Sequence, residues 1–132
     1  ISSLIFGQSR SLLWESMSTF GFVVSPVGHG LDTHRTWEAL ALGCIVLVES
    51  SPLDSLFEDH QLPVHSVGSL DDWRALDTAK LKEIAATLEP FTRPEHLSHR
   101  LSSAYWFKTH YNTTDSARRR TEKKELVKGA NR

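Results

Sequence analysis

The chain has 132 residues, with 15 Lys+Arg against 16 Asp+Glu, seven His, a single Cys and a formal net charge of -1. Its 39% hydrophobic and 23% charged content is that of an ordinary folded domain, which excludes collagen-like, disulfide-dense and wholly disordered chains. The length suits one domain and is short for two, the near-neutral balance argues against a nucleic-acid binder, and a lone Cys44 excludes an internal disulfide and argues against a cysteine-based zinc site.

Leu13, Met17 and Phe20 recur at i, i+4 and i+7 and predict a short amphipathic helix that ends before Gly21. Phe22-Val23-Val24, stopped by Pro26, reads as a buried strand. The loop Val27-Gly28-His29-Gly30 leads to a helix over Asp32–Leu42, with Asp32 as its N-cap and Gly43 closing it. Trp37, Leu40, Ala41 and Cys44 are expected on the side that packs against the sheet. Ile45-Val46-Leu47-Val48 is a second continuous apolar run, suited to a strand covered on both faces.

Ser51-Pro52 starts a turn or short helix reaching Phe57, and Val64–Val67 is a third strand. Ser69-Leu70-Asp71-Asp72-Trp73 opens a helical region in which the two carboxylates supply N-terminal charge. Leu81, Ile84, Ala85 and Leu88 form a helical stripe that ends at Pro90. Pro94 starts a last helix with Leu97, Leu101, Ala104 and Tyr105 on one face. The order predicts an α/β domain over residues 1–114: a Rossmann-like parallel sheet flanked by helices, with few enough strands that the sheet looks incomplete.

The charge is unevenly divided. Residues 1–114 hold 8 basic and 13 acidic side chains, whereas residues 115–132 hold 7 basic and 3 acidic ones and read as a basic, solvated C-terminal tail. The longest uncharged run, Ser16 to Leu31, is broken by Gly21 and Pro26 and does not form a transmembrane helix. A start at Ile1-Ser2-Ser3 without Met is expected of a processed, trimmed or partial chain, so the compartment is not read from that end.

The chemistry concentrates between Ser25 and Leu40. A loop after a strand of a parallel sheet is where ligands bind, Gly28 and Gly30 permit close approach or positive φ, and a helix start offers unpaired N–H groups to an anion. Arg35 and Glu38, at i and i+3, share one helix face: a cation near the helix start suits a diphosphate, and a carboxylate one turn on suits two ribose hydroxyls. An ordinary Arg–Glu surface pair is the competing reading, and the glycine pattern alone is neither Walker A nor G-x-G-x-x-G. His29 and His34 are five apart without a third ligand, so no metal site is expected there. His96 and His99 read as solvent-facing, and Trp73, Trp106 and Phe107 as packing residues in preference to sugar platforms. Asn112-Thr113-Thr114 is a glycosylation sequon.

The run Ser25-Pro26-x-Gly28-x-Gly30-x-Asp32-x-His34-Arg35-x-Trp37-Glu38-Ala39-Leu40-x-x-Gly43-Cys44-Ile45-Val46 resembles the C-terminal, nucleotide-sugar-binding half of exostosin-like GT-B glycosyltransferases, with a dense core over residues 22–50. Val46 departs from it, standing where that family commonly has Pro. The resemblance implies an enzyme that transfers a sugar from a nucleoside diphosphate sugar of UDP type to a glycan or glycoprotein acceptor, with neither metal nor cofactor. It implies that Arg35 stabilises the donor diphosphate as the catalytic residue and that Glu38 receives the ribose. Gly28, His29, Gly30, Asp32, Thr33 and His34 would shape the phosphate or sugar site, and Ser50, with Ser51 beside it, would meet the base or sugar. It further implies an N-terminal acceptor-binding domain missing from this chain and, for a eukaryotic parent, a membrane-anchored protein of the Golgi or ER lumen. An α/β interaction module that keeps the fold without the chemistry is the alternative. A phosphoacceptor domain fits less well, because Ser25 and Glu49 are poor candidates for its nucleophile.

Overall fold

A computed structural model describes residues 9–109. The tail expected over 115–132, its boundary at 114, the sequon at Asn112 and His110 lie outside the described residues. The chain divides into two compact units, with the division between Ser98 and His99.

The first unit is α/β. Its sheet has three parallel strands in the order β1-β2-β3, formed by Phe22–Val24, Ile45–Glu49 and Val64–Val67. Phe22 pairs with Ile45 and Val24 with Leu47, while Val46 pairs with Val64 and Glu49 with Val67. The central strand β2 carries the longest continuous apolar run, and Ile45, Val46, Leu47 and Val48 are all buried. Each such side chain withdrawn from water contributes roughly 1.5–3 kcal/mol, so β2 is the thermodynamic centre of the unit. Val46 also donates its N–H to the Pro63 carbonyl at 2.9 Å, a bond that Pro at this position would remove.

Helices flank the sheet: α1 (Arg10–Ser18), α2 (His34–Ala41), α3 (Asp54–Asp59), α4 (Leu70–Arg74), α5 (Thr78–Leu88) and α6 (Pro94–Arg100), with a 3₁₀ turn at Glu89–Thr92. Ala39 and Leu40 of α2, Phe57 of α3 and Ile84 of α5 complete the core, joined by Met17, Cys44, Leu62, Val67 and Leu97. Cys44 is therefore a packing residue; its thiol lies 3.4 Å from the Phe20 carbonyl, and burial pushes its pKa up. No described helix is long and apolar enough to cross a membrane.

Several local expectations are corrected. Helix α1 stops at Ser18 because Thr19 and Phe20 turn back onto the Ser16 and Met17 carbonyls, which leaves Phe20 outside the helix and half exposed. Helix α2 buries Thr36, Ala39 and Leu40, and Ala41 is exposed. Glycine 43 terminates α2 with a left-handed φ of 80°, the conformation that glycine tolerates best. The expected last helix is broken. It ends at Arg100, and a new helical run occupies residues 103–109, because Ser102 receives the Tyr105 N–H on its hydroxyl and acts as a cap in mid-segment. Asp72 is the helix-start charge that its position suggested, in a reciprocal capping box with Ser69. His96 is not simply solvent-facing: its Nε2 lies 2.8 Å from the Gln61 carbonyl and its ring rests on Phe91.

Candidate functional site at the carboxyl end of the sheet

The carboxyl ends of β1 and β2 hold two hydroxyl-rich clusters, and the loop and helix singled out from sequence rise beside the first. Ser25 follows β1 directly and donates its N–H to the Leu47 carbonyl at 2.9 Å, so the sheet fixes its position. Its hydroxyl lies 2.8 Å from the Thr33 hydroxyl and 2.8 Å from that of Thr36, and the two threonines are 3.3 Å apart. Ser25 and Thr36 are buried and Thr33 is part-buried, so the ring satisfies two hydroxyls that water does not reach. This closed ring fastens the start of α2 to the end of β1.

The ring changes the role of the helix cap. The N-cap is Thr33, not Asp32, and its side chain makes no capping bond because its oxygen faces Ser25 and Thr36. Asp32 instead accepts a hydrogen bond from the Trp37 indole. The first turn of α2 therefore has no side-chain cap, which leaves N–H groups of its opening turn to water or to an anion.

His34 and Arg35 open α2, and both are exposed. Arg35 makes no hydrogen bond or ion pair among the described residues. Glu38, expected to share a face with Arg35, is paired elsewhere: Arg10 of α1 brings its Nε to 3.5 Å from the Glu38 carboxylate, whose side chain is only 21% exposed. The ordinary Arg35–Glu38 pair does not form, which leaves one guanidinium outward at the helix start.

Gly28, His29 and Gly30 form the exposed loop before the helix, closed by the Gly28 N–H on the Gly30 carbonyl at 3.3 Å. Neither glycine adopts positive φ, so of the two uses expected of them close approach is the one that remains. A Cβ on Gly28 would meet Thr33 Cγ2 at an ordinary 3.6 Å, and one on Gly30 would meet nothing within 4 Å. The protein's own packing tolerates side chains at both positions. Any demand for glycine comes from what approaches the loop from outside.

The second cluster joins Ser50 and Ser51, both expected near the ligand, to Asp54 and Ser66, which were not expected there. Ser50, one residue past β2, donates its hydroxyl to Asp54 Oδ2 at 2.6 Å. The other oxygen, Oδ1, accepts from the Ser51 N–H at 3.1 Å and from the Ser66 hydroxyl of β3 at 2.7 Å. Burial alone would raise the pKa of this carboxyl, but the donors from Ser50, Ser66 and Ser51 more than offset it and hold it below its usual range. Asp54 is an ionised acceptor that ties the ends of β2 and β3 together. The only sequence signal was the tight turn Ser51-Pro52-Leu53-Asp54, in which the Asp54 N–H returns to the Ser51 carbonyl at 3.0 Å.

Ser25 lies one residue beyond the Val24–Leu47 register, so from strand spacing alone its Cα is roughly 8 Å from that of Ser50. Among the described residues, no group of three or more His, Cys, Asp or Glu is arranged to hold a metal ion, and His29 and His34 belong to no such group. A cavity of about 220 Å³ opens elsewhere, beyond β3, between His65, Gly68, Asp72, Leu76 and Lys80. Comparison of the chain with family models, with curated proteins and with solved structures finds no match.

Proposed function

We propose that this chain is the donor-binding half of a GT-B glycosyltransferase, holding a nucleoside diphosphate sugar of UDP type at the carboxyl end of its sheet. The observation that carries the reading is the start of α2: a first turn without a side-chain cap, an exposed Arg35 with no ion pair among the described residues, and a glycine loop whose openness the protein's own packing does not require. Helix N–H groups and a guanidinium together suit a diphosphate.

In this reading Arg35 and the α2 N-terminus stabilise the negative charge that develops on the departing diphosphate, work that a metal performs in other transferases. Gly28, His29 and Gly30 border the phosphates or the transferred sugar. Thr33 contributes its backbone, since its hydroxyl is committed to Ser25 and Thr36, and His34 lies beside Arg35 at the helix start. Asp32 acts indirectly by seating Trp37. Glu38 meets the ribose with Arg10 as a competing partner, so ribose binding includes displacement or sharing of that cation. The acceptor, a glycan or glycoprotein, is bound by a further domain that closes over this one.

Calorimetric titration of the chain with UDP and GDP tests the proposal. Arg35→Ala is expected to weaken UDP binding by roughly ten- to a hundredfold, since hydrogen bonds to charged groups contribute about 1.5–3 kcal/mol. Glu38→Ala should weaken it less. Absence of nucleotide binding, or binding indifferent to both substitutions, refutes the reading.

One observation favours the alternative of a non-catalytic interaction module. Val24 of the edge strand β1, and Phe20, Val27 and Leu31 in the segments that flank it in sequence, are exposed apolar side chains. That module predicts a protein that keeps this fold and binds a partner there while turning over no nucleotide sugar.

A further inference from the structure

We infer that Asp54 sets the hydrogen-bonding direction of Ser50, making the end of β2 a subsite that receives a hydrogen-bond donor of the ligand and refuses phosphate. The inference rests on the donor-site reading above and specifies which part of the ligand lies where.

A serine hydroxyl has one proton and two acceptor positions. The Ser50 proton is directed to Asp54 Oδ2 at 2.6 Å, and an ionised carboxylate can only accept. The exposed Ser50 oxygen therefore turns lone pairs outward. Phosphate oxygens are acceptors as well and gain nothing from it, whereas a base N–H or a sugar hydroxyl does. Ser51 is different. Its hydroxyl accepts the Leu53 N–H at 3.2 Å, and its own proton is not committed among the described residues.

The carboxylate cannot readily be replaced by its amide. Position Oδ1 faces the Ser51 backbone N–H, which only donates, and the Ser66 hydroxyl. In Asp54→Asn the amide carbonyl must take that place, so the NH₂ faces Ser50. Ser50 then accepts from Asn and turns its proton outward, reversing the polarity of the subsite at nearly constant volume. Asp54 is thus a positioning residue, acting on the ligand through Ser50.

The test is calorimetric titration of the full chain with four probes: inorganic pyrophosphate, UDP, UDP methylated at N3 (which removes the sole base N–H) and UDP-glucose. For the exposed Ser50→Ala, pyrophosphate affinity is expected to stay unchanged. A loss of roughly five- to tenfold, the value of one hydrogen bond, falls on a single comparison. If the base N–H is the partner, UDP weakens and N3-methyl-UDP does not; if a sugar hydroxyl is, UDP-glucose weakens and UDP does not. Asp54→Asn should weaken the same probe at least as much, and should add nothing in the Ser50→Ala background.

Equal weakening of pyrophosphate by Ser50→Ala, no effect of Ser50→Ala on any probe, or an Asp54→Asn effect that persists without Ser50 overturns the inference while leaving the donor site standing. Wild-type protein that binds neither pyrophosphate nor UDP, or binds both indifferently to Arg35→Ala, overturns the donor site and this inference with it.

Discussion

The Ser25–Thr33–Thr36 ring makes a quantitative claim about how the start of α2 is held. Ser25→Ala removes both 2.8 Å contacts of the central hydroxyl and leaves the buried Thr36 hydroxyl with only the 3.3 Å contact to Thr33. At about 1 kcal/mol net per hydrogen bond, with Thr33 recovering some of its share from water, the expected loss is about 2 kcal/mol. Thr36→Val keeps the shape and exchanges a buried hydroxyl for a methyl, so it should cost about 1 kcal/mol. The two substitutions share the Ser25–Thr36 bond, and the double variant should lose about 2 kcal/mol, not the sum of the singles.

Urea denaturation followed by far-ultraviolet circular dichroism measures all four proteins, with an unchanged slope showing that the unfolding transition itself is comparable. A coupling of about 1 kcal/mol is expected. Additive losses within about 0.3 kcal/mol would refute the ring as a cooperative unit, and a Ser25→Ala loss below about 0.5 kcal/mol would refute its contribution altogether.

Three further outcomes are expected. Leu40→Ala, at a position with no exposed surface, should cost about 2–5 kcal/mol through lost burial and the cavity left behind, read from the same urea transitions. Gly43→Ala should cost about 1–2 kcal/mol, and Gly43→Asn less. The reason is backbone conformation at φ 80°, since a Cβ there would meet the Thr92 carbonyl oxygen at an ordinary 3.6 Å. Stability should fall on acidification in two stages. His65 is held neutral, first by desolvation and then by Lys80, so the unfolded chain takes that proton first and stability declines as pH drops below about 6.5. Asp54, with a folded pKa below its ordinary 3.8, contributes stability that is complete above that value and lost as pH falls through the folded one. His65→Gln should flatten the upper stage of urea midpoint against pH, and Asp54→Asn the lower; unchanged profiles would contradict both assignments.

The elements legible in the sequence are those that one short window determines. Phe22–Val24 and Ile45–Val48 announce strands by continuous apolar runs, Val64–Val67 is bracketed by two valines directly after Pro63, and Leu81, Ile84 and Leu88 mark α5 by spacing. The start of α2 is not determined that way. Asp32 and Thr33 are both competent caps, and the choice is made by distant or cross-turn partners: the Trp37 indole takes Asp32, and Ser25 and Thr36 take Thr33. Likewise, spacing placed Glu38 beside Arg35, but Arg10 on another helix claims the carboxylate. Ser102 was invisible as a break because Leu97, Leu101 and Ala104 keep helical spacing across it, and a cap interrupts a helix without disturbing that pattern.

Asp54 shows the same limit at the candidate site, because its partners Ser50, Ser51 and Ser66 converge only after β2 and β3 pair. Once they have converged, the sheet edge has a chemical direction that neither cluster has by itself. At the end of β1 the ring consumes its own hydroxyls, and the helix start turns outward the Arg35 guanidinium and the N–H groups of α2, which are donors. At the end of β2 the carboxylate draws the Ser50 proton inward, and what Ser50 turns outward is an acceptor. Under the donor-site proposal, a ligand that is anionic at one end and rich in N–H or hydroxyl groups at the other is matched in one orientation, with its phosphates at α2. Reversed, it would set phosphate oxygens against Ser50 and Asp54 and leave Arg35 facing hydrogen-bond donors, a loss at both ends.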